Sequence, residues 1–164
     1  MRVSEYMLSP PQQLAIEAGL TRPRKGSLDG TFVTVLLVGA VVGGVLGSRS
    51  AQPDSATPMM LVSLLLWQPL IEELLFRGVL QGALLRNITG ARKVAGLSIA
   101  NIVTSLAFVA IHFAQHPWLW AIGVIVPSLL FGHYRERAGS VAPCILMHVI
   151  FNAAFFMSLL LPLL

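Results

Sequence analysis

The chain has 164 residues, and only 11% are charged, against about 25% in a soluble globular domain, while 55% are hydrophobic. A water-soluble fold is excluded, and the length allows one membrane-embedded domain. The net charge of +4 rests on basic residues scattered between apolar runs, which fits charges that set membrane topology and not a nucleic-acid-binding patch.

Residues 1–30 are polar, with Pro10, Pro11 and Pro23, and read as a cytoplasmic arm with a short helix around Gln12 to Ala18. A cleavable signal over Met1 to Ala51 is the rival, but its leading region is far too long. Five apolar stretches approach the about 20 residues that a transmembrane helix needs: Thr31 to Gly47, Met59 to Leu85, Val94 to Phe113, Trp118 to Tyr134 and Val141 to Leu164. Only helices and closed barrels satisfy their backbone in lipid, and the period-two alternation of a barrel is absent. The expected fold is therefore all-α, a polytopic membrane bundle of about five transmembrane helices. Residues 31–164 form its helical domain, and 59–164 hold the motif core.

The connections orient the bundle. Basic residues mark the cytoplasmic side: Arg2, Arg22, Arg24 and Lys25 in the arm, Arg86, Arg92 and Lys93 after the second stretch, and Arg135 and Arg137 after the fourth. Arg49 is the one basic residue in the other two connections. This predicts an integral membrane protein with a cytoplasmic N-terminus and an exterior C-terminus. Trp118, Trp120 and Tyr134 read as interfacial aromatics, and Ser48 to Pro58 as an exterior turn-rich loop. Cys144 lies alone among apolar residues and reads as an inert packed thiol; no internal disulfide can form.

Charge inside the second stretch is the functional signal. Glu72, Glu73 and Arg77 interrupt it, and ionisable groups at membrane depth mark functional sites by default. On an α-helix Glu73 and Arg77 stack four apart, so Glu73 is expected to be Arg77's structural partner. Glu72, about 100° round the helix, has no cation on its own helix and is expected to face elsewhere as a general base. Phe108 and His112 share a face of the third stretch, and His148 and Asn152 share a face of the fifth. An imidazole and an amide aimed at one point can hold a developing oxyanion, and a neutral histidine can orient water. Glu72, His112, His148 and Asn152 are expected to line one polar cavity. His116 and His133 read as solvated or interfacial, Asn101 as an interhelix hydrogen-bonder, and Pro69 as a possible kink.

The three motifs EExxxR (Glu72, Glu73, Arg77), FxxxH (Phe108, His112) and HxxxN (His148, Asn152) occur in one order and together span residues 72–152. In this the chain resembles the CPBP family, the CAAX-protease and bacteriocin-processing membrane proteins. The resemblance implies a glutamate-type intramembrane endopeptidase acting on a membrane-anchored protein substrate without a cofactor. Glu72 and His112 would activate water, His148 and Asn152 would form the oxyanion site, and Glu73, Arg77 and Phe108 would support them. The chain is shorter than better-known members, so the resemblance does not carry a substrate; it is similar to small bacterial proteases that process C-terminal sorting segments. Three alternatives stay open. Two histidines and a glutamate match a catalytic zinc set, although no HExxH is present and Arg77 would oppose a cation. A non-catalytic immunity or scaffold protein would not require the polar set. A small transporter would be expected to show an inverted repeat.

Overall fold

The computed structural model describes residues 9–50 and 57–160. Arg2, most of the exterior Ser48 to Pro58 loop and the last four residues of the fifth apolar stretch lie outside the described residues. The fold is helical, with one minimal hairpin. In chain order it comprises α1 (Pro10–Glu17), α2 (Gly30–Ser48), α3 (Pro58–Leu85), α4 (Ile88–Ala91), β1 (Lys93–Val94), β2 (Leu97–Ser98), α5 (Ile99–Phe113), α6 (Trp118–Gly123), α7 (Ile125–Ala138) and α8 (Ala142–Leu160). Among the described residues, α2 and α3 are long and apolar enough to cross a membrane, and α5 and α8 are shorter apolar helices.

Local chemistry sets the helix starts. Asp29 caps α2 by accepting from the Phe32 amide, Thr57 caps α3 ahead of Pro58, and Ser98 caps α5 through the Asn101 amide. The third apolar stretch was expected to be helical from Val94. Instead Lys93 pairs with Ser98 and Val94 with Leu97, because Ala95 and Gly96 both take positive φ and close a tight turn. The fourth stretch is broken where a continuous helix was expected. Pro127 has no amide hydrogen to offer the carbonyl of Gly123, and the chain turns there between α6 and α7.

Glycines let α2 lie directly on α8. A methyl group at Gly39 would fall 2.1 Å from the Phe151 ring, and one at Gly47 would fall 2.1 Å from the Phe155 carbonyl oxygen. Close backbone approach at small residues is the usual packing mode of helices in lipid. Val33, Leu37, Val38, Val41 and Val42 stay exposed on the opposite face of α2, as a lipid-facing surface requires. Phe32, Phe131, Tyr134, Cys144 and Met147 form the core between α2, α7 and α8. Tyr134 is thus a core residue packed edge-on to Phe32, not the interfacial aromatic that its position at the end of an apolar stretch suggested. Cys144 is fully buried and donates to the Phe131 carbonyl.

Helix α3 is not uniformly α-helical. It holds two wide, five-residue-register turns, Ser63–Trp67 and Leu74–Leu80, on either side of Gln68–Glu73. In the first turn Gln68 donates to the carbonyl of Ser63. The next carbonyl in that register, Leu64, would be served by residue 69, which is proline and has no donor. Asn152 of α8 supplies the bond, from Nδ2 at 3.0 Å. In the second turn Gln81 donates to Phe76. Return to the four-residue register then leaves the carbonyl of Arg77 without a helical donor, and Arg135 of α7 supplies one, from Nε at 3.1 Å. Such wide turns are uncommon and concentrate at functional sites.

Candidate active site

The segment between the wide turns presents both carboxylates to one imidazole. His148 Nδ1 lies 2.8 Å from Glu73 Oε1, and His148 Nε2 lies 3.8 Å from Glu72 Oε2. A carboxylate only accepts, so Nδ1 carries the proton of the first contact. The expectation that the two glutamates face apart fails for a simple reason. Their Cα atoms are separated round the helix, but each side chain is long enough to flank a ring lying between them. Phe131 stacks on that ring at 5.2 Å and fixes its plane.

Glu73 and Arg77 are wholly buried and 3.3 Å apart, Oε2 to Nε, at an angle that makes the contact coulombic and not a hydrogen bond. Arg77 Nη2 donates to both the carbonyl (3.0 Å) and the hydroxyl (2.7 Å) of Ser128. Its guanidinium carbon sits 4.7 Å from the Phe108 ring centroid and 5.4 Å from that of Phe131. Its Nε and Nη1 make no hydrogen bond, so the Glu73 carboxylate and the aromatic faces offset the rest of the buried charge. Glu72 is different: its side chain is 18% exposed, beside a His148 side chain at 11%. Gln68 Nε2 donates to Glu72 Oε1 at 3.0 Å, one helical turn away.

His112 and Asn152 stand at the edges of this cluster. His112 Nδ1 donates to the carbonyl of Phe108 at 2.9 Å, which leaves Nε2 of the neutral ring as an acceptor. The Phe108 ring bridges the histidines, 4.4 Å from His112 and 6.3 Å from His148. Among the described residues His112 makes no hydrogen bond to Glu72. His116 stacks on His112 at 5.6 Å and is exposed, as its loop position suggested. Desolvation and the neighbouring His112 imidazole hold His116 below the ordinary histidine range, while Glu72 pulls the other way. Asn152 spends one amide hydrogen on Leu64, as above. Asn101 bonds the Leu129 carbonyl of α7, the interhelix role expected of it.

Four participants carried no signal that was read in the sequence: Gln68, Ser128, Phe131 and Arg135. Gln68 was accessible, since it lies four residues before Glu72. Ser128 and Phe131 reach Arg77 and His148 only through tertiary packing. Arg135 looked like a loop charge but is 5% exposed. A cavity of about 330 Å³ lies elsewhere, among Lys93, Ser98, His133, Glu136 and Arg137, and contains none of the candidate residues. Among the described residues no group of three His, Cys, Asp or Glu side chains is arranged to hold a metal ion.

A family model described as Rce1-like, type II CAAX prenyl endopeptidase Rce1-like, matches residues 54–154, which is more than half of the chain and includes every residue of the three motifs. No curated protein and no solved structure matches the chain.

Proposed function

The chain belongs to the Rce1-like type II CAAX prenyl endopeptidase family and is an intramembrane protease, and from that premise we propose that it cuts a membrane-anchored protein near a C-terminal anchor or sorting segment, with Glu72, His112, His148 and Asn152 as its catalytic residues. The observation that carries this reading is the His148 ring between two carboxylates, its Nδ1 proton held on Glu73.

Each role follows from an atom left free. Glu72 Oε2 faces His148 Nε2 at a spacing that suits a water shared between them. His112 Nε2 offers a lone pair to the same water. Asn152 keeps its second amide hydrogen. In the reaction the water oxygen attacks the scissile carbonyl carbon while its proton passes to Glu72. The carbonyl oxygen gains negative charge, which the His148 imidazole and the second Asn152 amide hydrogen stabilise. The C–N bond then breaks, and Glu72 returns the proton to the leaving amine. Glu73 holds the Nδ1 proton of His148 on one oxygen and faces Arg77 with the other. Phe108 and Phe131 close the apolar sides, where such electrostatic contacts act most strongly.

In this reading the chain crosses a bacterial inner membrane five times from a cytoplasmic N-terminus, and the chemistry needs no metal. The test is cleavage by the purified chain in proteoliposomes. Two quenched peptides serve as probes, one with a prenylated CAAX terminus and one with an unprenylated apolar anchor. The wild type is expected to cut at least one, and Glu72→Gln neither. Near wild-type cleavage by Glu72→Gln would defeat the assignment. Chelator-sensitive cleavage restored by zinc would replace it with the zinc reading.

A further inference from the structure

The arm before α2 is joined to the bundle by contacts that the mechanism leaves unused. Residues Glu17 to Gly19 leave α1 as a corner of bare backbone. The Glu17 carbonyl accepts from Arg135 Nη2 at 2.6 Å, and the Gly19 carbonyl accepts from the Val141 amide at 3.0 Å. Helix α3 supplies the groove: a methyl group at Gly82 would lie 2.4 Å from the Glu17 oxygen. Gly19 has φ +69°, and any side chain there would meet the Arg135 guanidinium at 2.5 Å. The corner therefore touches α3, α7 and the start of α8.

Arg135 closes this arrangement. Its Nε donates to the Arg77 carbonyl, the one left over where the second wide turn returns to the ordinary register. One buried guanidinium thus binds the arm and the turn that carries Arg77. Val141, held by Gly19, lies about two turns before His148 on the next helix. An arginine that served only to set topology would keep its head group in water.

We propose that Arg135 is a positioning residue: by clasping the Glu17–Gly19 corner against the Arg77 turn it fixes α3 relative to α8, and with them the contact between Glu73 and His148. The proposal rests on the catalytic reading of His148 given above. It predicts that loosening the clasp disturbs the imidazole some distance away while the protein stays folded.

The experiment uses the full chain, labelled with ¹⁵N-histidine, in detergent micelles. The Nδ1–H proton of His148, held on a carboxylate, gives a downfield resonance assigned by its disappearance in His148→Asn. Arg135→Lys keeps the charge but cannot span both carbonyls. Gly82→Ala favours the helix itself yet pushes the corner away from α3. In both variants the resonance is expected to move upfield or vanish while the thermal transition persists. Turnover of the quenched prenylated peptide is expected to lose about tenfold in kcat with KM unchanged. Arg86→Gln, which breaks only the exposed Arg86–Glu17 ion pair, is expected to leave both readouts at wild type. An unchanged resonance in a folded variant overturns the proposal, as does an unchanged kcat. Failure of both variants to fold overturns it too, since the clasp would then serve stability alone. If the wild type does not cut the peptide, the resonance decides alone. Cleavage that survives Glu72→Gln would sink the catalytic reading, and the resonance would still report on Arg135.

Discussion

Two adjacent glutamates carry different loads. Glu72 is half-buried, bonded to Gln68 and free on its other oxygen; Glu73 is sealed between Arg77 and His148. Removing one charge of a buried pair costs about 3–5 kcal/mol. Glu73→Gln is therefore expected to lower stability by roughly that amount, with a clear fall in melting temperature, whereas Glu72→Gln melts near wild type. Equal melting temperatures for the two variants would contradict this division. Glu73→Gln also strips His148 of its carboxylate, so a residual folded fraction is expected to be impaired in cleavage as well. The ion pair was legible because four-residue spacing is a rule of helices. The shared imidazole was not, because it depends on where a third helix passes. Asp29 gives a pH prediction. The Phe32 amide and Arg137 hold its carboxyl below the ordinary 3.8. A lowered folded value stabilises the fold above the ordinary value and loses that contribution as pH falls through the folded one. Asp29→Asn is expected to flatten the acid limb of a melting-temperature profile below about pH 4 while leaving its neutral region parallel to wild type.

At the scale of elements, apolar runs located the helices but not their internal register. A lipid-facing helix shows little amphipathic period, so nothing in the hydrophobic pattern of α3 marks its wide turns. Pro69 was the visible clue, and its effect is to leave Leu64 without a donor, which Asn152 repairs. An unsatisfied buried carbonyl costs about 1–3 kcal/mol, so Asn152→Ala is expected to destabilise by that amount. Pro69→Ala restores an amide hydrogen at the position facing Leu64. In that background the cost of Asn152→Ala is expected to shrink, and a double-mutant cycle of melting in micelles measures the difference. An additive cycle would mean that Asn152 does not stand in for the missing proline donor. The hairpin at Lys93–Ser98 and the break at Val124 were missed for related reasons. Both depend on single residues, Gly96 and Pro127, inside stretches that are otherwise apolar.

For the whole molecule, the alternation of basic connections leads to an arrangement that labelling can test. Cys144 is fully buried and will not react with an impermeant maleimide, so it need not be removed. A cysteine introduced at Asn87, after α3, and another at Gln115, after α5, are expected to label from opposite sides of sealed vesicles. Labelling from the same side would rule out the five-crossing arrangement. The arm looked separate because its composition is polar. Part of its attachment to the bundle runs through the backbone carbonyls of Glu17 and Gly19, and composition does not report on those.

The wide turns of α3 have a consequence for how its length can vary. Each holds one residue more than an unbroken helix would need between the same two ends. Deleting Leu66 would convert the first into an ordinary turn without reversing the direction in which Glu72 points, and the Leu64 carbonyl would still face Pro69 and still need Asn152. Deleting Val79 would act differently, because it brings the Gly82 amide opposite the Arg77 carbonyl that Arg135 now serves. Single-residue deletions, usually the harshest change a membrane helix can suffer, should here be milder inside these two turns than anywhere else along α3.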